Sequence, residues 1–174
     1  MSSELRVDKI VPVSGVPAMD ASNSRFYGGG VIQVVQGYGG LSETATTSTS
    51  YVATTLLGRI TPKFTTSRIL ITVSGGTCYA PQGNGVALDL FKSVGGGSYS
   101  GFTGTTGRPS SSLWRFYGNG AAAQMGCSFQ VLDAPNTTSE ITYKVYMKSL
   151  GGGSAQFNNH GNDSSGISIM ELSA

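Results

Sequence analysis

Few residues in this chain have types and spacing that could do chemistry. Residues 99–117 gather Tyr99, Phe102, Trp114, Phe116 and Tyr117 with Arg108 and Arg115 among small polar neighbours. Aromatic rings supply large amphipathic contact area, and arginine adds directional hydrogen bonds, so this composition suits a recognition surface. Tyr99, Phe102, Arg108, Arg115 and Tyr117 are the candidate receptor contacts, with a glycan as the candidate ligand. Trp114 and Phe116 are expected instead in a core or at a subunit interface.

Catalysis lacks a constellation. The single histidine, His160, sits in a polar string, and no Gly-x-Ser-x-Gly turn leads into a helix. Cleaving a glycosidic bond takes two carboxyl groups facing one cleft. Here Asp89, Asp133, Glu140, Asp163 and Glu171 fall on different strands or turns, and no internal repeat builds a long β-helix. The glycine runs 28–30 and 95–97 lack the Gly-Lys-Ser/Thr ending of a phosphate loop, and read as hinge and turn. Cys78 and Cys127 form no C-x-x-C pair, and with one histidine they cannot supply the four ligands of a structural zinc site. Both lie in apolar stretches, where free cysteine behaves as a small buried hydrophobe; a disulfide between them stays open. The expectation is a chain that is not an enzyme, with no cofactor and no metal.

Composition says what must hold such a surface. The hydrophobic share of 39% is ordinary, but charged residues make up only 11% of the 174. The solvated surface therefore consists largely of Ser, Thr, Asn and Gly, which suits exposed β-structure. A disordered chain would need fewer apolar residues and a higher net charge. The 26 glycines imply many turns. The formal charge is +2 and the basic residues are scattered, so no nucleic-acid partner is expected. No apolar run approaches the roughly 18 residues of a membrane span, and Met1–Arg6 carries no signal-peptide core, so synthesis in the producing cell's cytoplasm is expected.

The elements follow a period of two. Ile69, Ile71 and Val73 share one face of their run; so do Val86, Leu88 and Leu90. Met125, Cys127, Phe129 and Val131 alternate with small or polar residues, as do Ile141, Tyr143, Val145 and Met147, and Ile167 with Ile169. Such alternation marks strands with one buried and one wet face. Turn residues fall between them at 82–85, 95–97, 118–120, 134–136 and 151–153. The Ser/Thr-rich segment 41–51 reads as a surface strand or loop. No amphipathic helical stripe is present. The pattern predicts an all-β, jelly-roll-like antiparallel sandwich over residues 31–174.

Residues 1–30 differ. Leu5, Val7, Ile10 and Val11 are interleaved with charges, Pro12 and Pro17 forbid a long helix, and three glycines follow at 28–30. This predicts an extended arm whose apolar side chains lie on a neighbour. Further along, Trp114, Phe116, Tyr117, Phe129, Tyr143 and Tyr146 fall on both faces of their strands, more rings than one chain of this size is expected to cover. A closed homotrimer would hide the surplus and protect strand edges.

The opening string from Ser3 to Pro12, followed by Gly15-Val-Pro17 and the run from Gly28 to Gln36, resembles the start of short tail-fibre-like virion structural proteins of cyanophages. Ile60-Thr-Pro62, residues 67–71, Asp133-Ala-Pro135, residues 139–145 and residues 168–172 look like the β-domain of the same group. The resemblance implies a trimeric jelly-roll head carried by an arm that docks on other virion proteins through Leu5, Val7, Ile10 and Val11. It implies a protein of the virion, made in the host cytoplasm, that contacts the host surface. A capsid decoration protein or head knob is the alternative, because no long shaft is present.

Overall fold

The structure, a computed structural model, describes residues 30–39, 42–102, 112–158 and 164–173, with the backbone alone of 9–10, 19–20 and 25–26. Of the arm's docking residues, Leu5, Val7 and Val11 lie outside the described residues. Ile10 is described by backbone only, in β1 (Lys9–Ile10), which pairs with β2 (Met19–Asp20), itself paired with β3 (Arg25–Phe26).

The remaining strands are β4 (Val31–Tyr38), β5 (Thr44–Thr46), β6 (Val52–Ile60), β7 (Arg68–Ala80), β8 (Asn84–Val94), β9 (Ser100–Gly101), β10 (Trp114–Gly118), β11 (Ala123–Asp133), β12 (Ile141–Ser149), β13 (Ala155–Phe157) and β14 (Ser165–Leu172). No helix occurs among the described residues. Two antiparallel sheets form a jelly-roll-like sandwich. One runs β10-β8-β12-β6, with β9 also on β8; the other runs β4-β14-β7-β13-β5, with β11 along the other edge of β7.

The alternation read from sequence puts one side of each strand between the sheets. Leu88, Leu90, Ile141, Tyr143, Val145 and Met147 from the first sheet meet Ile69, Ile71, Val73, Ile167 and Ile169 from the second, all fully or almost fully buried. β6, which the sequence pattern did not single out, follows the same rule: Leu56 and Ile60 point in, Ala53 and Arg59 out.

β7 departs from strict alternation. Odd positions face the core up to Val73, but Cys78 and Ala80 face it afterwards. The change of parity falls at Gly75 and Gly76, whose φ values of 80° and 76° are left-handed. These two residues stand against Cys127 where the ladder to β11 shifts register, a bulge that bends the strand. Past the bend β7 exchanges partners, pairing with β14 before it and β13 after it.

Two buried polar contacts pin the sandwich. Asp133, at the end of β11, accepts from Lys92 Nζ on β8 at 2.9 Å to each oxygen and from Tyr143 Oη on β12 at 2.8 Å. The pin thus joins one sheet to the other. Glu171 on β14 is fully buried and accepts from Ser67 Oγ at 2.6 Å, from the Lys63 backbone at 2.7 Å and from Gln33 Nε2. It anchors the β6–β7 turn, whose donors would otherwise go unsatisfied.

The expected surplus of exposed rings is mostly absorbed within one chain. Tyr143 is buried; Trp114, Phe116 and Phe129 pack against the core, and Tyr146 is half-buried. Tyr117 alone of those six is exposed, at 52%. The two sheets are close enough to cover rings that a count of strand faces assigned to solvent.

Candidate functional site

Among the described residues, the outward side of the β10-β8-β12-β6 sheet carries the densest cluster of interacting rings. Directly opposed residues on neighbouring strands share a face. By that rule Tyr146 lies beside Asp89 and Ala53, Lys144 beside Phe91 and Leu57, and Thr142 beside Ser93 and Arg59. Ala87 lies between Arg115 and Lys148.

Four segments deliver the rings. Phe91 and Tyr146 come from the adjacent strands β8 and β12 and stack with centroids 4.0 Å apart. Tyr51 precedes β6; the Ser48 carbonyl accepts from the Ser149 backbone at 2.8 Å, which holds that segment against the end of β12. Its ring meets Phe91 edge-on at 5.6 Å and lies 4.6 Å beneath Lys148 Nζ, a cation–π contact. Tyr99 arrives by a turn. Gly95 and Gly96, with φ of 58° and 76°, reverse the chain so that Gly101 pairs with Phe91, and Tyr99 comes to lie 5.9 Å from Tyr146. A side chain on Gly101 would crowd the Phe91 ring and the Asp89 carboxylate, at 3.1 and 3.2 Å.

Asp89 lies under this layer, 1% exposed, with Oδ1 accepting from the Leu90 backbone at 2.8 Å. Burial first, and then the Asp89 charge, push the Tyr51 hydroxyl above its ordinary value. Burial, with a smaller contribution from Tyr99, raises Tyr146. Both hydroxyls stay protonated and able to donate at any physiological pH. The face can therefore offer rings and flexible cations to a ligand.

Of the candidate receptor contacts, Tyr99, Arg115 and Tyr117 are exposed on or beside this face. Arg108 lies outside the described residues. Phe102 is a correction: it is 3% exposed, its ring 6.1 Å from Tyr143 and 5.2 Å from Lys92 Nζ, inside the sandwich. It directly follows the outward Gly101, and the step of one turns it inward. Sequence reasoning missed Tyr51, Phe91, Tyr146 and Lys148 as members of this face. The outward parity of Tyr146 and Lys148 in their run was the one signal that could have found them.

The groups weighed for catalysis are dispersed. Asp133 and Glu171 are taken up by the two pins, Asp89 lies under the rings, and His160 and Asp163 are outside the described residues. Cys78 and Cys127 are buried free thiols, and Cys127 Sγ donates to the Gly75 carbonyl at 3.1 Å. Among the described residues no group of three or more His, Cys, Asp or Glu could hold a metal ion. Among the described residues no helix is long and apolar enough to cross a membrane.

No protein-family model matches the chain, and no curated protein matches it. Solved virus coat proteins superpose loosely. A mutant VP2 protein of infectious bursal disease virus from T=1 particles is 12% identical with a TM-score of 0.34, covering 95% of this chain and 42% of that one. The T=13 particle of the same virus gives 11% identity and a TM-score of 0.34, over 80% and 37%. The Gt strain of that virus gives 12% and 0.31, over 95% and 45%. The chain spans under half the length of these proteins.

Proposed function

We propose that this chain is a non-enzymatic structural protein of a virus particle that attaches the particle to a host surface through the ringed face of the β10-β8-β12-β6 sheet. The observation that carries the reading is that face: Tyr51, Phe91, Tyr99 and Tyr146 are gathered on one sheet with Lys148, on a small β-sandwich poor in charge. Surface rings that cluster mark contact surfaces. Placement on the tail of a cyanophage, as a short fibre, rests on the N-terminal string from Ser3 to Pro12. The arm, with Leu5, Val7, Ile10 and Val11, docks on other virion proteins.

The head is proposed to be a homotrimer. Supporting this is a row of aliphatic side chains across the outward face of the other sheet. Leu132, Leu70, Met170 and Val34 are opposed in turn on β11, β7, β14 and β4. Leu132 and Val34 are 48% and 59% exposed. Covering such a row is what a subunit contact does.

Imaging the protein in an assembled particle tests the placement. Density at the tail or baseplate supports the attachment role. Copies spread over the capsid lattice favour the decoration protein, for which the aliphatic row, rather than the rings, would be the working surface. Adsorption assays test the face itself: particles carrying Tyr99→Ala and Tyr146→Ala are expected to lose host binding, and undiminished adsorption counts against the reading.

A further inference from the structure

We infer that the ligand of the ringed face is an acidic polysaccharide, a chain of sugars bearing carboxylate or sulfate groups. This deepens the attachment reading and rests on it. Four cations share the face with the rings. Arg115 and Lys148 stand on either side of Ala87; Lys144 is flanked by Phe91 and Leu57; Arg59 is opposite Thr142. Residues 148, 144 and 142 of β12 mark their positions along one strand, so at a rise of about 3.3 Å per residue the cations extend over roughly 20 Å. An array of that length matches a polymer with repeated charges better than a single small anion.

Among the described residues none of the four is engaged in an ion pair, and Lys148 Nζ lies over the Tyr51 ring. Arg59 and Arg115 are exposed, Lys144 and Lys148 half-buried. Asp89, opposite Tyr146, lies 1% exposed beneath the rings, and the exposed Glu140, two residues before Thr142, stands at the Arg59 end of the array. An approaching anion therefore meets three cations, Arg115, Lys148 and Lys144, that have no acid opposed to them on the neighbouring strands. In a chain with 11% charged residues, such a grouping is a local departure from the rest of the surface.

The arrangement of the rings favours sugars over nucleobases. Stacked binding of bases needs open ring faces. Phe91 and Tyr146 already cover one another at 4.0 Å, and Tyr51 and Tyr99 lean on that pair at 5.6 and 5.9 Å. What remains for a ligand is ring edges, with the Tyr99 ring the most open of the four. These match a ligand with hydroxyl groups and C–H patches, and the cations supply charge-assisted hydrogen bonds to its acid groups.

The test is titration calorimetry of the purified full chain with three probes: alginate, neutral dextran and an oligothymidylate. Alginate is expected to bind, with affinity falling as salt rises. Lys148→Ala should weaken it about tenfold, the effect of losing one charge-assisted hydrogen bond, and the pair Arg59→Gln with Arg115→Gln about a hundredfold, the effect of losing two. The two arginines are exposed, so their variant remains informative if Lys148→Ala unsettles the fold, which a thermal melt reports. Equal, salt-insensitive binding of dextran overturns the acidic assignment and leaves the attachment face standing. Tighter binding of the oligonucleotide than of alginate overturns it in favour of nucleic acid. Failure of both alginate and dextran to bind overturns this inference and the glycan reading of the face together.

Discussion

The two outward faces of the sandwich are built by the same alternation and end up chemically unlike. On the β10-β8-β12-β6 sheet the outward positions hold Phe91, Tyr146, Lys144, Lys148 and Arg115, joined by Tyr51 and Tyr99 from flanking turns. On the other sheet they form bands. Leu132, Leu70, Met170 and Val34 make an aliphatic row, and beside it Gln130, Thr72, Ser168 and Gln36 make a polar one, with Gln130 donating to Thr72 at 3.0 Å. Rings with hydroxyls and mobile cations adapt to a polar ligand. A flat aliphatic band offers only area, which a complementary protein surface can cover. The lesson is that burying one side of a strand leaves the other free to specialise, and here the two free sides specialise differently.

The largest effect is expected where both faces can be broken at once. Asp133→Ala removes the acceptor that ties Lys92 and Tyr143 across the sheets. It leaves a partly buried ammonium unpaired and should lower unfolding free energy by about 2–4 kcal/mol. Urea denaturation would show it, and a wild-type midpoint would refute the pin. Tyr146→Ala tests the ringed face alone. Losing a half-buried stacked ring should cost about 1–2 kcal/mol and abolish ligand binding while self-association persists. The converse variant, Val34→Ser with Met170→Gln, should change subunit stability by less than about 0.5 kcal/mol. Sedimentation should then find monomers that still bind ligand; unchanged assembly would remove the aliphatic row from the contact.

The smallest effect at neutral pH comes from the tyrosines. Burial raises Tyr51, Tyr143 and Tyr146 above the ordinary value of 10.0, with the Asp133 charge adding to Tyr143. A raised folded value means the folded state holds these protons more tightly than the unfolded chain does. Their contribution to stability is therefore complete below about pH 10 and is lost as pH rises further, through the folded values. Absorbance titration near 295 nm should show three late-ionising tyrosines, and Tyr143→Phe should remove one of them.

Much of the sandwich was legible in the chain because a strand declares its own faces. Ile69, Ile71 and Val73, or Ile141, Tyr143, Val145 and Met147, point inward wherever their strands are placed, since successive side chains alternate by geometry alone. Turn positions were legible for a similar local reason. Gly83, Gly95, Gly96, Gly120, Asn136 and Gly152 all take the left-handed φ that their residue types allow. β6 escaped notice because Thr54 and Gly58 interrupt its apolar positions, leaving Leu56 and Ile60 too far apart to read as a pattern.

The candidate face was much less legible. A cluster of aromatics within one stretch, residues 99–117, suggested a local recognition surface, but a loop has no period to say which ring turns inward. Phe102 turned in and Tyr99 turned out. The partners of Tyr99 come from residues 51, 91 and 146, brought together by the pairing of β8 with β12 and of β12 with β6. Which side of each strand meets the core, and where the chain reverses, can be read residue by residue, because both depend on neighbours along the backbone. Which outward side chains share a surface emerges with the folded sandwich, because register between strands distant in the chain is set by the packing of the whole.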